Sequence, residues 1–191
     1  MANVNRPNGF KVVGTLSGAP WTSSIRKFYS GTDNLFMGDI VEKGATGVAS
    51  GDGAYPEVHR AEADDIPVGV VVGWEVNPSA LDRLYHAASS TYAVYVCVDP
   101  NVLLEAQVDT AGLAVTDVGL NIDFVVAAGS TTSGVSNMQL DGGTEATTAD
   151  EPLKLMGAVN RMDNEPALAY SRWIVMFNQH AYRSDAGTAG I

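Results

Sequence analysis

The three histidines are the first residues to consider for chemistry, because imidazole can ligate zinc or act as a general base near neutral pH. His59, His86 and His180 lie far apart in the chain, and no Glu-x-x-His pattern surrounds His86. We expect none of them to have a second metal-type ligand nearby. The spacing predicts surface or hydrogen-bonded histidines, not a zinc site or a catalytic triad.

Cys97 is the only cysteine, and it lies inside the apolar run of residues 92–98. A reactive thiolate requires a cationic and partly exposed environment, which this run does not offer. We therefore expect Cys97 to pack as a small buried hydrophobe. A single cysteine cannot form an internal disulfide, so the fold should not depend on an oxidising compartment, and we expect assembly in a cytoplasm.

Carboxylates near residue 60 are candidate calcium ligands, since calcium prefers oxygen. Glu62, Asp64 and Asp65 are close together, and Asp52 lies upstream. The EF-hand order of alternating carboxylates, a central glycine and a final glutamate is absent, so we predict a solvated acidic loop and no metal. The glycine-rich stretch 129–134 contains no lysine and does not predict a phosphate site. We expect no catalytic residue, no cofactor and no enzyme activity.

The basic N-terminal segment is the better candidate for a site, and its chemistry would be protein binding. Residues 1–30 contain no Asp or Glu. An aromatic residue in such a segment could anchor it in a partner's groove, although a frayed terminus is the alternative. The candidate partner contacts are Arg6, Phe10, Lys11, Trp21, Arg26 and Lys27.

The rest of the chain is acidic. The protein has 22 acidic and 11 Lys or Arg residues, a formal net charge of −11, and no Lys or Arg between Arg83 and Lys154. Such a body repels phosphate, so we expect no nucleic-acid partner. No apolar run reaches the roughly 18 residues that would suggest a transmembrane helix, and residues 1–7 lack the apolar centre of a secretory signal. We expect no membrane partner.

Short apolar runs alternate with turn residues and predict strands. Val102, Leu104, Ala106 and Val108 alternate with more polar residues, as in a strand with one buried face. We predict short helices at residues 79–82 and 116–120, and a tight connection between adjacent strands at 99–101. We predict long surface loops, which could contain small hairpins, at residues 44–65 and 129–150. The candidate strands are residues 24–29, 35–42, 68–76, 92–98, 102–108, 122–127, 137–140, 153–159 and 172–178.

This spacing predicts an all-β protein with a single β-barrel or jelly-roll-like sandwich and extended N- and C-terminal arms. We divide the chain into an N-terminal arm (1–23), a body (24–183) and a C-terminal tail (184–191). The tail is rich in Gly and Ala, and we expect it to be free or held against another chain.

Several segments, taken together, resemble the cement or decoration proteins that stabilise the heads of tailed bacteriophages. They include the opening 1–10, Gly38-Asp39-Ile40-Val41, residues 67–74, 95–101 and 129–138, residues 160–164, and Asn178-x-His180. The resemblance implies a structural virion protein without catalytic residues, which binds the outer capsid surface and clamps neighbouring subunits of the major capsid protein. It also implies a homo-oligomer, with a trimer favoured over a dimer.

Two other function classes stay open. A glycan- or receptor-binding β-module on the virion surface would need aromatic and acidic groups on one loop face, for which Tyr55, Trp74 and Tyr85 are candidates. An enzyme of unrecognised type would need paired carboxylates with perturbed pKa values in a deep pocket.

Overall fold

The structure is a computed structural model that describes residues 3–50, 53–183 and 187–190. Its regular elements are strands and two short 3₁₀ turns, which confirms the predicted all-β class. The strands are β1 (Lys11–Thr15), β2 (Ile25–Ser30), β3 (Ile40–Ser50), β4 (Gly53–Arg60), β5 (Pro67–Trp74), β6 (Val94–Cys97), β7 (Val102–Gln107), β8 (Asn121–Ile122), β9 (Phe124–Val125), β10 (Gln139–Leu140), β11 (Leu153–Ala158) and β12 (Arg172–Phe177).

Five strands close into a barrel in the order β2-β4-β3-β5-β6, with β6 pairing back to β2. The pair β2–β4 is parallel, with Tyr29 opposite Glu57, whereas the other four pairs are antiparallel. Closure gives each barrel strand two neighbours, although the outer part of the β3–β4 hairpin, residues 43–50 and 53–56, pairs only within the hairpin.

The remaining long strands form an open antiparallel sheet in the order β1-β7-β12-β11-β8. A bulge between Val12 and Gly14 in β1 and another between Leu155 and Gly157 in β11 interrupt the register. The short strands β9 and β10 pair with each other. The edge strand β1 brings residues from the N-terminus beside the start of β12.

A shared core joins the barrel to the open sheet. It includes Ile40, Val70 and Cys97 from the barrel, and Trp173 from the sheet. Val102, Leu104, Ala106 and Val108 are all fully buried, as predicted for residues 102–108. The expectation of only one buried face is wrong, because Glu105 and Gln107 on the opposite face are buried too, and Gln107 is hydrogen-bonded to the N-terminal segment.

The segment predicted as an N-terminal arm packs on the body. The expectation that Phe10 contacts a partner is wrong, because its ring is 1% exposed and lies edge-on to Phe124 in the core. Gly9 makes this entry possible: its φ is +65°, and a Cβ there would lie 2.6 Å from the Ser136 Cβ. Lys11–Thr15 then continues as β1, where hydrogen bonds to β7 outweigh the turn-rich local sequence.

Residues 44–65, predicted as a loop that could contain small hairpins, include most of the β3–β4 hairpin and the connection to β5. Three other local predictions turn out differently in the structure. Residues 79–82 form turns instead of a helix, while Val115–Asp117 forms one 3₁₀ turn. Residues 99–101 do connect β6 to β7 tightly, with Asn101 N–H donating to Asp99 Oδ1 at 2.9 Å, but these strands belong to different sheets.

The described part of the C-terminal tail, residues 187–190, is held by this chain's own polar groups. The Asn121 side-chain amide donates to the Thr188 carbonyl at 2.7 Å, and Thr188 N–H donates to Asn178 Oδ1 at 2.9 Å. Lys154 Nζ donates to the Ala189 carbonyl at 2.9 Å. Residues 184–186 and 191 of the predicted tail lie outside the described residues, as does Asp52.

Among the helical segments that the structure describes, none has the length and apolarity needed to cross a bilayer.

Candidate functional site

A wide groove lies where the N-terminal segment crosses the open sheet, and we call it the basic groove. Its volume is about 890 Å³, in the range of ligand-binding clefts. The N-terminal segment, β1, β7, the start of β12 and the turn around residue 162 all contribute to it. Its lining residues are Asn3, Val4, Arg6, Pro7, Asn8, Lys11, Glu105, Ser133, Val135, Arg161, Asp163, Asn164, Tyr170 and Arg172.

Hydrogen bonds to the sheet fix the N-terminal wall of the basic groove. Arg6 N–H donates to Gln107 Oε1 at 2.9 Å, and the Gln107 amide donates to Asn5 Oδ1 at 3.0 Å. Arg172 donates from Nη1 to Asn8 Oδ1 and from Nη2 to the Arg6 carbonyl, both at 2.9 Å. The wall is therefore positioned before any partner binds, which reduces the entropy lost on binding.

One buried carboxylate holds two arginines on the floor of the groove. Glu105 is 9% exposed, and its Oε1 lies 3.1 Å from Arg161 Nη2 and 3.7 Å from Arg172 Nη1. Burial lowers the pKa of the Arg172 guanidinium, and the charge of Glu105 opposes that shift. Glu105 thus orients these guanidinium groups without neutralising the whole groove.

The groove concentrates positive charge on an acidic protein. Arg6, Lys11, Arg161 and Arg172 line it, against the carboxylates of Glu105 and Asp163. Four of the chain's 11 Lys and Arg residues therefore meet here, although the formal net charge of the protein is −11. Such a cleft attracts an acidic ligand that the remaining surface repels.

Exposed apolar side chains stand beside these charges. Val4 lines the groove and is 75% exposed, and Met162, between two lining residues, is fully exposed. Exposed methionine beside arginine is typical of protein-binding surfaces, where apolar contact supplies affinity and charge supplies orientation. The arrangement fits a polypeptide segment with acidic and apolar residues.

The structure brings together only two of the predicted contact residues. Arg6 and Lys11 both line the basic groove and are both exposed. Trp21 lies in the 3₁₀ turn Trp21–Ser24 and packs, partly buried, against the core.

The other two predicted cations point to different neighbours. Arg26 is exposed and donates to the carbonyls of Ser23 and Ile25. Lys27 Nζ donates to Glu75 Oε1 at 2.7 Å, and this hydrogen bond raises the pKa of the Lys27 amine. Arg26 and Lys27 therefore lie outside the basic groove.

Sequence reasoning missed Arg161 and Arg172, which complete the site. They are 150 residues or more from Arg6, and they reach it because β12 pairs with β7 so that Arg172 lies opposite Gln107. Only the pairing of these strands brings the charges together. The available signal was weak: two arginines flank the turn-rich segment that precedes a predicted strand.

The histidines and the cysteine do not join the basic groove. His86 and His180 are buried, and burial lowers the pKa of both imidazoles. Cys97 is fully buried, and burial raises the pKa of its thiol, as expected for a packing residue. His59 does have acidic neighbours, contrary to expectation: its Nδ1 lies 3.5 Å from Asp33 Oδ2 and its Nε2 lies 3.7 Å from Glu57 Oε2.

A second, smaller cavity gathers aromatic side chains at the end of the barrel. Trp74, Tyr85 and Tyr92 line it, and its volume is about 90 Å³. Arg83 lies 5.6 Å from the centre of the Tyr85 ring. Tyr55 packs instead against Tyr29, with ring centres 5.6 Å apart. Two of the three aromatic residues considered for glycan binding therefore share one cavity.

Comparisons of the chain with protein-family models, with curated proteins and with solved structures give no match. The functional argument therefore depends on the geometry of this molecule.

Proposed function

We propose that this protein is a structural, non-enzymatic protein of a tailed-phage head, which binds the outer capsid surface and clamps neighbouring subunits of the major capsid protein. We propose that it acts as a homo-oligomer and that a trimer is favoured over a dimer. The basic groove carries the proposal: it is a preformed cleft with cationic and apolar walls on an acidic all-β body. The resemblance of the sequence to capsid decoration proteins supplies the class of partner.

In this mechanism the groove receives an acidic, partly apolar segment of a capsid subunit. Arg6 and Lys11 attract the segment, Arg161 and Arg172 hold its carboxylates, and Val4 and Met162 contact its apolar residues. A copy attached to one capsomer gains a high effective concentration for the next, so each contact can be individually weak. The barrel carries no bond-breaking step and serves as a rigid support.

A charge reversal on an exposed lysine tests the groove. Lys11→Glu replaces an attractive charge with a repulsive one, so we expect affinity for shells lacking this protein to fall about tenfold or more, equivalent to about 1.4 kcal/mol. Lys43→Glu is the matched control, because Lys43 is also an exposed strand lysine but lies on β3, away from the groove. Cosedimentation with shells measures both variants.

The proposal requires Lys43→Glu to bind as the wild type does while Lys11→Glu binds more weakly, with both variants showing wild-type thermal unfolding. Equal binding by all three proteins would remove the groove from the mechanism. Failure of the folded wild type to bind shells at all would reject the capsid partner.

A second candidate function is glycan or receptor binding, which one observation favours. Trp74, Tyr85 and Tyr92 share a cavity with Glu75 and Asn77, a combination of aromatic faces and polar groups that suits sugars. Its volume of about 90 Å³ is below the roughly 300 Å³ at which ligand pockets usually begin. A glycan array with the wild type and Trp74→Ala tests this function, which requires selective binding that the variant loses.

A further inference from the structure

Three carboxylates from separate loops meet where the barrel joins the open sheet. Asp64 follows β4, Asp123 stands between β8 and β9, and Glu151 precedes β11. One oxygen of each side chain lies within 4.8 Å of one oxygen of both others. Like charges at this spacing repel one another, so the arrangement requires a compensating interaction. We call these three residues the acidic junction.

A buried oxygen of Asp123 is a second observation that points to a ligand. Asp123 is 6% exposed, and its buried Oδ1 has no hydrogen-bond partner among the described residues. The Asp123 backbone is fixed on both sides, with N–H donating to Thr144 Oγ1 at 3.0 Å and the carbonyl accepting from Asp141 N–H at 3.1 Å. A buried carboxylate oxygen without a partner is costly unless a proton or a cation satisfies it.

Further acidic groups surround the junction. Burial raises the pKa of Asp123, which the backbone N–H groups of Phe124 and Asp64 partly offset, and the charges of Asp64 and Asp141 raise it further. Burial also raises the pKa of Glu151, and every charge that shifts it is acidic: Asp123, Asp64, Asp150 and Asp141. Several carboxylates therefore share one region, and a bound cation would offset their mutual repulsion.

We infer that Asp64, Asp123 and Glu151 bind a calcium ion at the junction of the barrel and the sheet. The ligands are all carboxylate oxygens, which selects a hard cation. Calcium accepts six to eight oxygen ligands in flexible geometry, whereas magnesium demands near-ideal octahedral geometry and is usually bound through only one or two carboxylates. Three carboxylates from three separate loops therefore fit calcium better.

The site has a structural consequence that is independent of the basic groove. A bound ion would link the β4–β5 connection, which belongs to the barrel, to two connections that belong to the other strands. Because the unfolded chain does not hold the three carboxylates together, calcium would bind the folded state preferentially and raise its thermal midpoint.

The experiment uses the full chain, treated with a chelator and dialysed, then titrated with CaCl₂ or MgCl₂ by calorimetry and by thermal unfolding. We expect saturable binding of one calcium ion per chain, a midpoint that rises with calcium concentration, and weaker binding of magnesium. Asp64→Asn should weaken calcium binding about tenfold or more, because affinity depends on the number of charged ligands. Asn tolerates the φ of +65° at this exposed position, so the variant should fold.

Asp82→Asn is the matched control, since Asp82 is exposed and lies outside the junction. It should bind calcium as the wild type does. The inference is overturned if the folded wild type binds no calcium, if Asp64→Asn and Asp82→Asn bind it equally, or if magnesium binds as tightly as calcium. Each readout is independent of shell binding, so it separates this inference from the proposed function.

Discussion

His180 lies in the core beside two other aromatic rings. Its imidazole is fully buried, with ring centres 5.3 Å from Phe177 and 5.9 Å from Tyr182. Tyr182 N–H donates to Nδ1 at 3.1 Å, so the neutral ring carries its proton on Nε2. Burial, together with the charge of Arg183, lowers the pKa of His180 to about 4. This residue therefore makes folding depend on pH.

We predict that His180 stabilises the fold above pH 6.5 and progressively less as the pH falls from 6.5 to about 4. In that window the unfolded chain binds a proton that the folded chain excludes. The effect reaches at most about 3 kcal/mol. Denaturant unfolding of the wild type and of His180→Phe at pH 7 and pH 4 measures the effect. The free energy of unfolding of the wild type minus that of the variant should be smaller at pH 4 than at pH 7. A difference independent of pH would contradict the lowered pKa.

Phe10 is a core residue in a segment whose composition suggests an arm. We predict that Phe10→Ala lowers the free energy of unfolding by about 3–5 kcal/mol, because it removes a buried ring that packs against Phe124. Val13→Ala, on the neighbouring strand β1 and 44% exposed, should change it by about 0.5 kcal/mol or less. Denaturant unfolding measures both, and equal effects would show that Phe10 is not buried.

The elements that the sequence predicted best are those with strong local patterns. Residues 24–29, 68–76 and 172–178 correspond closely to β2, β5 and β12, because buried β-branched and aromatic residues mark them. β4 was placed in a loop that could contain small hairpins, because Gly and Ser mask its strand pattern. The strand β1 was missed, since it is stabilised by pairing with β7, a strand distant in the sequence. Local sequence carries little information about such pairing.

Dependence on pairing between distant strands also limits prediction of the site. Charge asymmetry along the chain identified Arg6 and Lys11, but it also selected Arg26 and Lys27, which lie elsewhere. Arg172 reaches the groove only through the register of β12 on β7. The spacing of residues in the sequence does not predict a contact that depends on the order of strands in a sheet.

Terminal truncations test the two end segments as elements. Deleting residues 1–20 removes β1 and Phe10, so we predict that the chain no longer folds cooperatively.

Deleting residues 187–191 removes hydrogen bonds from the buried side-chain amides of Asn121 and Asn178, so we predict that the free energy of unfolding falls by about 1–3 kcal/mol. Thermal unfolding followed by circular dichroism measures both. A midpoint unchanged by the first deletion would show that residues 1–20 are an arm after all.

The whole molecule combines a closed barrel, an open sheet and an uneven distribution of charge. The acidic surface limits non-specific association, while the basic groove offers a site for an acidic partner. Closure protects most of the strand edges in the barrel, and the edge strand β1 carries Lys11, a charge that discourages unintended strand pairing. These features suit a protein displayed in many copies that must bind one partner.

The most direct test of the proposed capsid binding is a cryo-electron microscopy map of shells decorated with the purified protein. We predict density on the outer surface, with the groove lined by Arg6, Lys11, Arg161 and Arg172 facing an acidic segment of a major-capsid subunit. Density on the genome-facing side, or a groove that faces solvent on every copy, would contradict the account.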